Sequence, residues 1–122
     1  MSTPDPQPQA ESPDETAAAI RDIAEVSATE LIMTLSLHLL SAAAVKVGLS
    51  EDPETELDLA EARILITGLA GLVTSTAPDL DDTHARTLRD GLRTLQLAFR
   101  EASPYPDAPG KGPGEKYTGS VI

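Results

Sequence analysis

The chain has no cysteine, no tryptophan, one phenylalanine and two tyrosines among its 122 residues. The absence of cysteine excludes disulfide bonds, thiolate metal sites and cysteine nucleophiles, and it favours a reducing compartment, which we expect to be the cytoplasm. Because aromatic side chains are so few, the core must be mainly aliphatic. A chain of this length has room for one small domain.

Positive charge is also scarce, since nine lysines and arginines face twenty acidic residues and leave a net charge of −11. Neutralising phosphates supplies most of the non-specific affinity of a protein for nucleic acid, so this balance argues against binding by the whole surface. We expect no sequence-specific DNA binding, although a local basic patch is compatible with this charge.

Neither a signal peptide nor a membrane-spanning helix is expected. The chain opens with a polar, proline-rich stretch, where a signal peptide would have a basic start and an apolar run. The uncharged stretch at residues 31–45 is shorter than the roughly 20 residues a membrane span needs. Four polar residues interrupt it: Thr34, Ser36, His38 and Ser41.

The same uncharged stretch predicts a helix with two apolar faces. A capping box from Ser27 to Glu30 marks its start, and Gly48 marks its end. An ordinary surface helix needs one apolar face, so the second face predicts a homodimer that pairs through this helix. The candidate interface residues are Met33, Leu37, Leu40 and Ala44 of this helix, with Gly68 and Gly71 of the next.

A second helix is predicted from a cap at Asp58 to a position before Pro78. Gly68 and Gly71 lie inside it, where each glycine costs up to about 1 kcal/mol relative to alanine. Two explanations stay open: the close approach of a dimer partner, or glycines tolerated on a solvent-exposed face.

A third helix runs from a cap region at Asp81 to about Ala102, and no alternating stretch predicts a strand. Its core residues recur at the spacing of a bundle helix: Leu88, Leu92, Leu95 and Phe99. The fold class is therefore all-α, a small three-helix bundle over residues 20–103. We expect a disordered acidic tail at residues 1–19 and a flexible tail rich in glycine and proline at residues 104–122.

Four arginines share one side of the third helix, and we call them the arginine stripe: Arg86, Arg89, Arg93 and Arg100, with Leu97 among them. They form either a solvated flank that pairs with acids such as Asp90 and Glu101, or a binding surface for an acidic or phosphate-rich partner. The C-terminal tail is a candidate docking peptide through Lys111, Lys116 and Tyr117.

The sequence contains no recognisable catalytic constellation, so we assign no catalytic, cofactor-binding or metal-binding residue and expect no cofactor. His38 lies on a polar edge of the first helix, without an acidic residue to orient it. Asp79, Asp81 and Asp82 form an acidic cluster that helix capping explains better than cation binding. The alternative is a small hydrolase or metal-dependent enzyme that uses His38 or this cluster.

The order of these segments resembles the bacterial domain-of-unknown-function family 1844. The resemblance rests on Val47-Gly48-Leu49, Leu57-Asp58-Leu59-Ala60-Glu61-Ala62 and Leu88-Arg89-Asp90-Gly91-Leu92-Arg93. The stretch at residues 109–119 looks like the ending of the actinobacterial branch. The resemblance implies a small helical fold and no catalytic residues. Because members of that branch often lie beside the gene for translation initiation factor three, it also implies a ribosomal setting.

These observations together predict a non-enzymatic cytoplasmic interaction or regulatory protein, associated with translation. Its expected partners are a second copy of itself and a ribosomal or other acidic or phosphate-rich component, with no membrane partner.

Overall fold

The computed structural model describes residues 16–17 and 24–122, which divide into two units, one of them ending at Leu31 and the other spanning Ile32–Ile122. All regular structure in these described residues is helical, so the all-α prediction is confirmed. The predicted acidic tail at residues 1–19 lies outside the described residues, apart from Thr16 and Ala17.

Three long helices and two single-turn helices make up the described chain. In order they are α1 (Ala28–Lys46), α2 (Pro53–Glu56), α3 (Leu59–Thr76), a short 3-10 turn (Ala77–Asp79), α4 (Asp82–Ala102) and α5 (Glu115–Thr118).

The starts of the three long helices are those the sequence predicts. Side-chain oxygens of Ser27, Asp58 and Asp81 each accept a hydrogen bond from the backbone N–H three residues later, at 3.1, 3.1 and 2.9 Å. At the other end of α1, Gly48 has a φ of 91°, and the N–H of Leu49 donates to the carbonyl of Ala44 at 2.9 Å. Only glycine adopts this left-handed conformation at little cost, so Gly48 ends α1 as predicted.

The core lies mainly between α3 and α4, which form a helical hairpin joined by the 3-10 turn. Its buried members include Ile66, Leu69 and Val73 from α3 and Leu88, Leu92, Leu95 and Phe99 from α4. These are the residues that the helical spacing of the sequence places on one face, because a 3.6-residue period aligns them along one side of each helix.

Helix α1 contributes much less to this core. Within the helix, only Ser36 and Ala43 are buried, and Val47 just beyond its end joins the core cluster. The C-terminal end of α1 is held beside the start of α3, because the N–H of Asp58 donates to the carbonyl of Lys46 at 2.8 Å. One side of α1 packs on the core, and the other side, which includes Leu35 and Leu37, stays exposed.

Two stretches of the described chain are long and apolar enough to cross a membrane by length and composition, Ala28–Lys46 and Leu59–Asp79. This is weak support for a membrane location, since core helices of soluble proteins pass the same test. The second stretch supplies much of the core between α3 and α4.

The C-terminal segment, residues 104–122, differs from the flexible tail expected from its composition. Pro113, Gly114 and Glu115 are buried, as is Val121, and α5 packs on α3. Gly114 has a φ of 76°, and a Cβ there would lie 2.6 Å from the Cβ of Ala70. The glycines therefore permit turns and a close approach to the bundle, rather than leaving the segment without structure.

Candidate functional site

The C-terminal segment lies on the arginine stripe, which brings together two features predicted as separate binding regions. The guanidinium of Arg93 donates to the backbone carbonyl of Val121 at 3.2 Å, and that of Arg100 donates to the carbonyl of Asp107 at 2.8 Å. Half of the stripe thus binds the protein's own chain. This differs from both sequence-based readings, a solvated flank and a free binding surface.

Arg63 on α3 also holds this segment, and the sequence analysis misses it. Its guanidinium pairs with the carboxylate of Asp107 at 2.8 Å and lies 5.0 Å from the centroid of the Phe99 ring. One sequence signal singles it out, because Arg63 is the one basic residue of α3. Its partner is 44 residues further along the chain, and no spacing rule connects them.

The buried carboxylate of Glu115 organises the turns of the segment. One oxygen accepts hydrogen bonds from the N–H groups of Gly110 and Val121 at 3.0 and 3.3 Å, and the other accepts from Gly112 at 3.1 Å. Hydrogen bonds to a charged acceptor are stronger than those between neutral groups, so one side chain fixes three points of an irregular backbone.

Two further contacts fasten α5 to the hairpin. The amide of Gln96, which is buried on α4, donates to the carbonyl of Pro113 at 3.1 Å and to the hydroxyl of Thr118 at 3.0 Å. The ring of Tyr117 lies on Gly71, where an added Cβ would be 3.3 Å from the ring. Gly71 is therefore covered by Tyr117 of its own chain, which corrects its assignment to a dimer interface.

The remaining tail and stripe candidates stay exposed. The amine of Lys116 lies 5.1 Å from the centroid of the Tyr117 ring, and Lys111 is exposed. Arg86, Arg89 and Leu97 are exposed as well, and neither arginine forms a hydrogen bond or ion pair within the described part of the chain.

A cavity of about 340 Å³ lies where α3, α4 and the C-terminal segment meet. Its lining includes Arg89 and Arg93, Val73 and Leu92, and residues 117–121. Sequence reasoning finds the arginines but not the cavity, because the cavity depends on the docking of the C-terminal segment.

The predicted dimer-interface residues of α1 divide between its two sides. Met33, Leu40 and Ala44 pack against the core cluster of their own chain, whereas Leu37 is exposed. Leu40 lies so close to α4 that a Cβ added at Gly91 would be 2.9 Å from its terminal carbon. Gly68 of α3, the other predicted glycine, faces open space.

The uncovered side of α1 carries a stripe that we call the α1 face: Leu35, His38, Ala42 and Val45. The first three are exposed and Val45 is half-buried, with Leu35 at 46%. These positions are three, four and three residues apart, the spacing that lines up along one side of a paired helix. The sequence pattern predicts the dimer through the neighbouring residues Met33, Leu37, Leu40 and Ala44 instead.

Beside α1, an open groove of about 320 Å³ separates it from α4. Leu40, Ala44 and Leu49 line it from the α1 side, and Gly91 and Leu95 line it from α4.

The residues considered for catalysis lie on two separate elements, His38 on α1 and the acidic cluster around the start of α4. The Nδ1 atom of His84 lies 2.6 Å from the carboxylate of Asp81, and His38 is exposed on α1. The pKa of Asp81 is lowered from its ordinary value, mainly because its carboxylate accepts the backbone N–H of His84 and then because of the side-chain bond to the same residue. Within the described residues, no three His, Asp or Glu side chains are grouped so that they could hold a metal ion.

Comparison with known proteins gives one match. A family model described as a domain of unknown function (DUF1844) matches residues 28–101, which include α1, α3 and nearly all of α4. No curated protein and no solved structure matches the chain significantly. The matched stretch ends before the C-terminal segment, so the family match covers neither Glu115 nor the residues that close the cavity.

Proposed function

From the premise that this chain belongs to the DUF1844 family, a domain of unknown function, we propose that it is a non-enzymatic interaction protein that acts as a homodimer paired through the α1 face. The observation that carries the proposal is how few residues of α1 are buried by the rest of the chain. The helix is 19 residues long and strongly apolar, yet only two of its residues are buried by its own chain. Exposed apolar side chains that lie together on one helix, such as Leu31, Leu35 and Leu37, are typical of a protein interface.

The charge distribution supports a second copy as the partner. Each chain carries a net charge of −11, so two copies repel one another over most of their surface. Residues 31–45 carry no formal charge, so two copies that meet along α1 bring few like charges together.

The spacing of the α1 face supports helix pairing in particular. Leu35, His38, Ala42 and Val45 follow the alternating three- and four-residue steps of a paired helix seam. A polar side chain within such a seam sets the register of pairing at some cost in stability, and His38 occupies that position here.

The predicted ribosomal or phosphate-rich partner is not part of this proposal. Arg93 and Arg100 bind carbonyls of the C-terminal segment, so the basic surface available to a polyanion is smaller than the sequence suggests. That partner and the cytoplasmic location stay predictions from the sequence and the family resemblance.

The test is the mass of the protein in solution before and after the α1 face is charged. At micromolar concentration, light scattering should report twice the chain mass of 12.8 kDa. Leu35→Glu and Ala42→Glu should each yield a monomer with unchanged helical content, because a carboxylate buried against its counterpart costs about 2 kcal/mol or more.

Ile64→Glu is the matched control, because Ile64 is 67% exposed on α3 and lies outside the α1 face. This variant should remain a dimer. A monomeric unaltered protein, or equal dissociation by all three variants, would contradict the proposal. Flotation of the unaltered protein with lipid vesicles, lost in Leu35→Glu, would show instead that a membrane covers the α1 face.

A further inference from the structure

The cavity between α3, α4 and the C-terminal segment is unusual in so acidic a chain. Its volume of about 340 Å³ falls at the lower end of the range of small-molecule sites, about 300–1,000 Å³. Two arginines line it and no aspartate or glutamate does, in a protein with a net charge of −11. We propose that this cavity binds a small phosphorylated molecule that has a compact apolar or ring-shaped body.

The two guanidinium groups have donors to spare for such a ligand. Arg89 forms no hydrogen bond or ion pair with any residue the structure describes, and Arg93 makes one bond, to the carbonyl of Val121. A guanidinium carries five N–H donors in a planar fork that matches phosphate oxygens. The charge of a phosphate monoester, about −1.5 to −2 at neutral pH, balances the two arginines.

A hydroxyl group adds to the polar part of the cavity. Thr74 is exposed at the end of α3, lines the cavity and makes no hydrogen bond with its side chain in the described structure. It is therefore free to donate to a phosphate oxygen, and a side-chain hydroxyl commonly supplements arginine at such sites.

Apolar side chains line the cavity as well. Val73, Leu92 and Val121 are lining residues with little exposed surface, and the Tyr117 ring, which lies against Gly71 and is 45% exposed, offers a larger apolar surface. Because arginines and an aromatic ring line the same cavity, a small organic phosphate fits it better than a free inorganic ion, which would leave the ring uncovered.

The site also depends on the docked state of the C-terminal segment, which supplies residues 117–121 of its lining. A ligand that binds only when this segment is docked stabilises the docked state by mass action. Binding of ligand should therefore increase the protection of the amides of Gly119 and Val121 against hydrogen exchange.

Phenyl phosphate is a suitable probe, because it combines a phosphate head with a ring-shaped body. Titration into the full-length protein, followed by amide NMR shifts, should give a saturable response confined to residues that line the cavity, including Thr74, Arg89, Arg93 and residues 117–121. Inorganic phosphate should bind at least tenfold more weakly, and benzyl alcohol, which has no charge, should give no saturable response.

Arg89→Gln should weaken the binding of phenyl phosphate by about 10- to 100-fold, the range expected for losing hydrogen bonds to a charged group. Arg86→Gln is the matched control, since Arg86 is exposed on the same helix but does not line the cavity. Both variants should keep the helical content and mass of the unaltered protein, so the result is independent of dimer formation.

The proposal is overturned if phenyl phosphate gives no saturable response at millimolar concentration. It is also overturned if Arg86→Gln weakens binding as much as Arg89→Gln, because the response would then reflect general attraction to basic side chains.

Discussion

Helix α1 is less buried by its own chain than its composition suggests, and the C-terminal segment is more buried than its composition suggests. Helix α1 is long, apolar and regular, and its own chain buries only Ser36 and Ala43 within it. The C-terminal segment is rich in proline and glycine and contains one helical turn, yet Glu115 and Val121 are buried within it. Hydrophobicity predicts which segments need to be buried, whereas specific contacts decide whether the protein's own fold buries them.

Their polar groups show the same contrast. The hydroxyl of Ser36 is fully buried on α1 and has no hydrogen-bond partner in the described structure. Glu115, by comparison, is 8% exposed and accepts hydrogen bonds from three backbone N–H groups. A buried polar group stabilises a fold only when its hydrogen-bonding capacity is used. By this measure, Glu115 stabilises the C-terminal segment and Ser36 does not stabilise α1.

The strongest test of this comparison is Glu115→Gln. The amide cannot satisfy all three N–H donors and brings its own N–H₂ group towards them, so we expect the free energy of unfolding to fall by about 3 kcal/mol. Chemical denaturation measures this loss, and amide exchange should become faster at Gly110, Gly112 and Val121.

Glu101→Gln controls for the general effect of removing one acidic charge, because Glu101 is exposed near the end of α4. It should change stability by less than about 0.5 kcal/mol. If Gly110, Gly112 and Val121 stayed equally protected in Glu115→Gln, the segment would be held by its other contacts, and the importance assigned to this carboxylate would be wrong.

A pair of glycine substitutions separates a glycine required by geometry from one that is not. Gly114→Ala should destabilise the protein by about 2 kcal/mol, because its φ is 76° and the added Cβ would lie 2.6 Å from that of Ala70. Gly68→Ala should instead stabilise it by up to about 1 kcal/mol, since the position faces open space within α3.

Thermal unfolding of the two variants measures both effects. A loss of stability in Gly68→Ala, together with a loss of dimer mass, would show that a partner helix approaches at Gly68, as one of the sequence-based explanations holds. Equal stabilities for the two variants would contradict the close packing of Gly114.

The smallest expected effect concerns the unpartnered hydroxyl of Ser36. Ser36→Ala should stabilise the protein by about 1 kcal/mol, because it removes a buried polar group that makes no hydrogen bond. Ser41→Ala on the exposed side of the same helix measures the gain from helix propensity alone. If the two substitutions gave the same gain in denaturant unfolding, Ser36 would have a partner in solution.

The sequence by itself determined the local features of the fold. Helix starts at Ser27, Asp58 and Asp81 and the end of α1 at Gly48 follow from hydrogen bonds and backbone preferences within a few residues. The buried faces of α3 and α4 follow from helical periodicity, because apolar side chains at that spacing share one side of a helix. The family resemblance is confirmed for the same reason, since it rests on these helices.

Only the tertiary structure decided which of these surfaces the chain covers for itself. The pairing of Arg63 with Asp107 and the contact of Tyr117 with Gly71 join residues more than 40 positions apart. No local pattern encodes such contacts, because they depend on how helices and turns meet in space. The same contacts convert a segment that looks unstructured by composition into the wall of a cavity, whereas one side of α1 stays exposed.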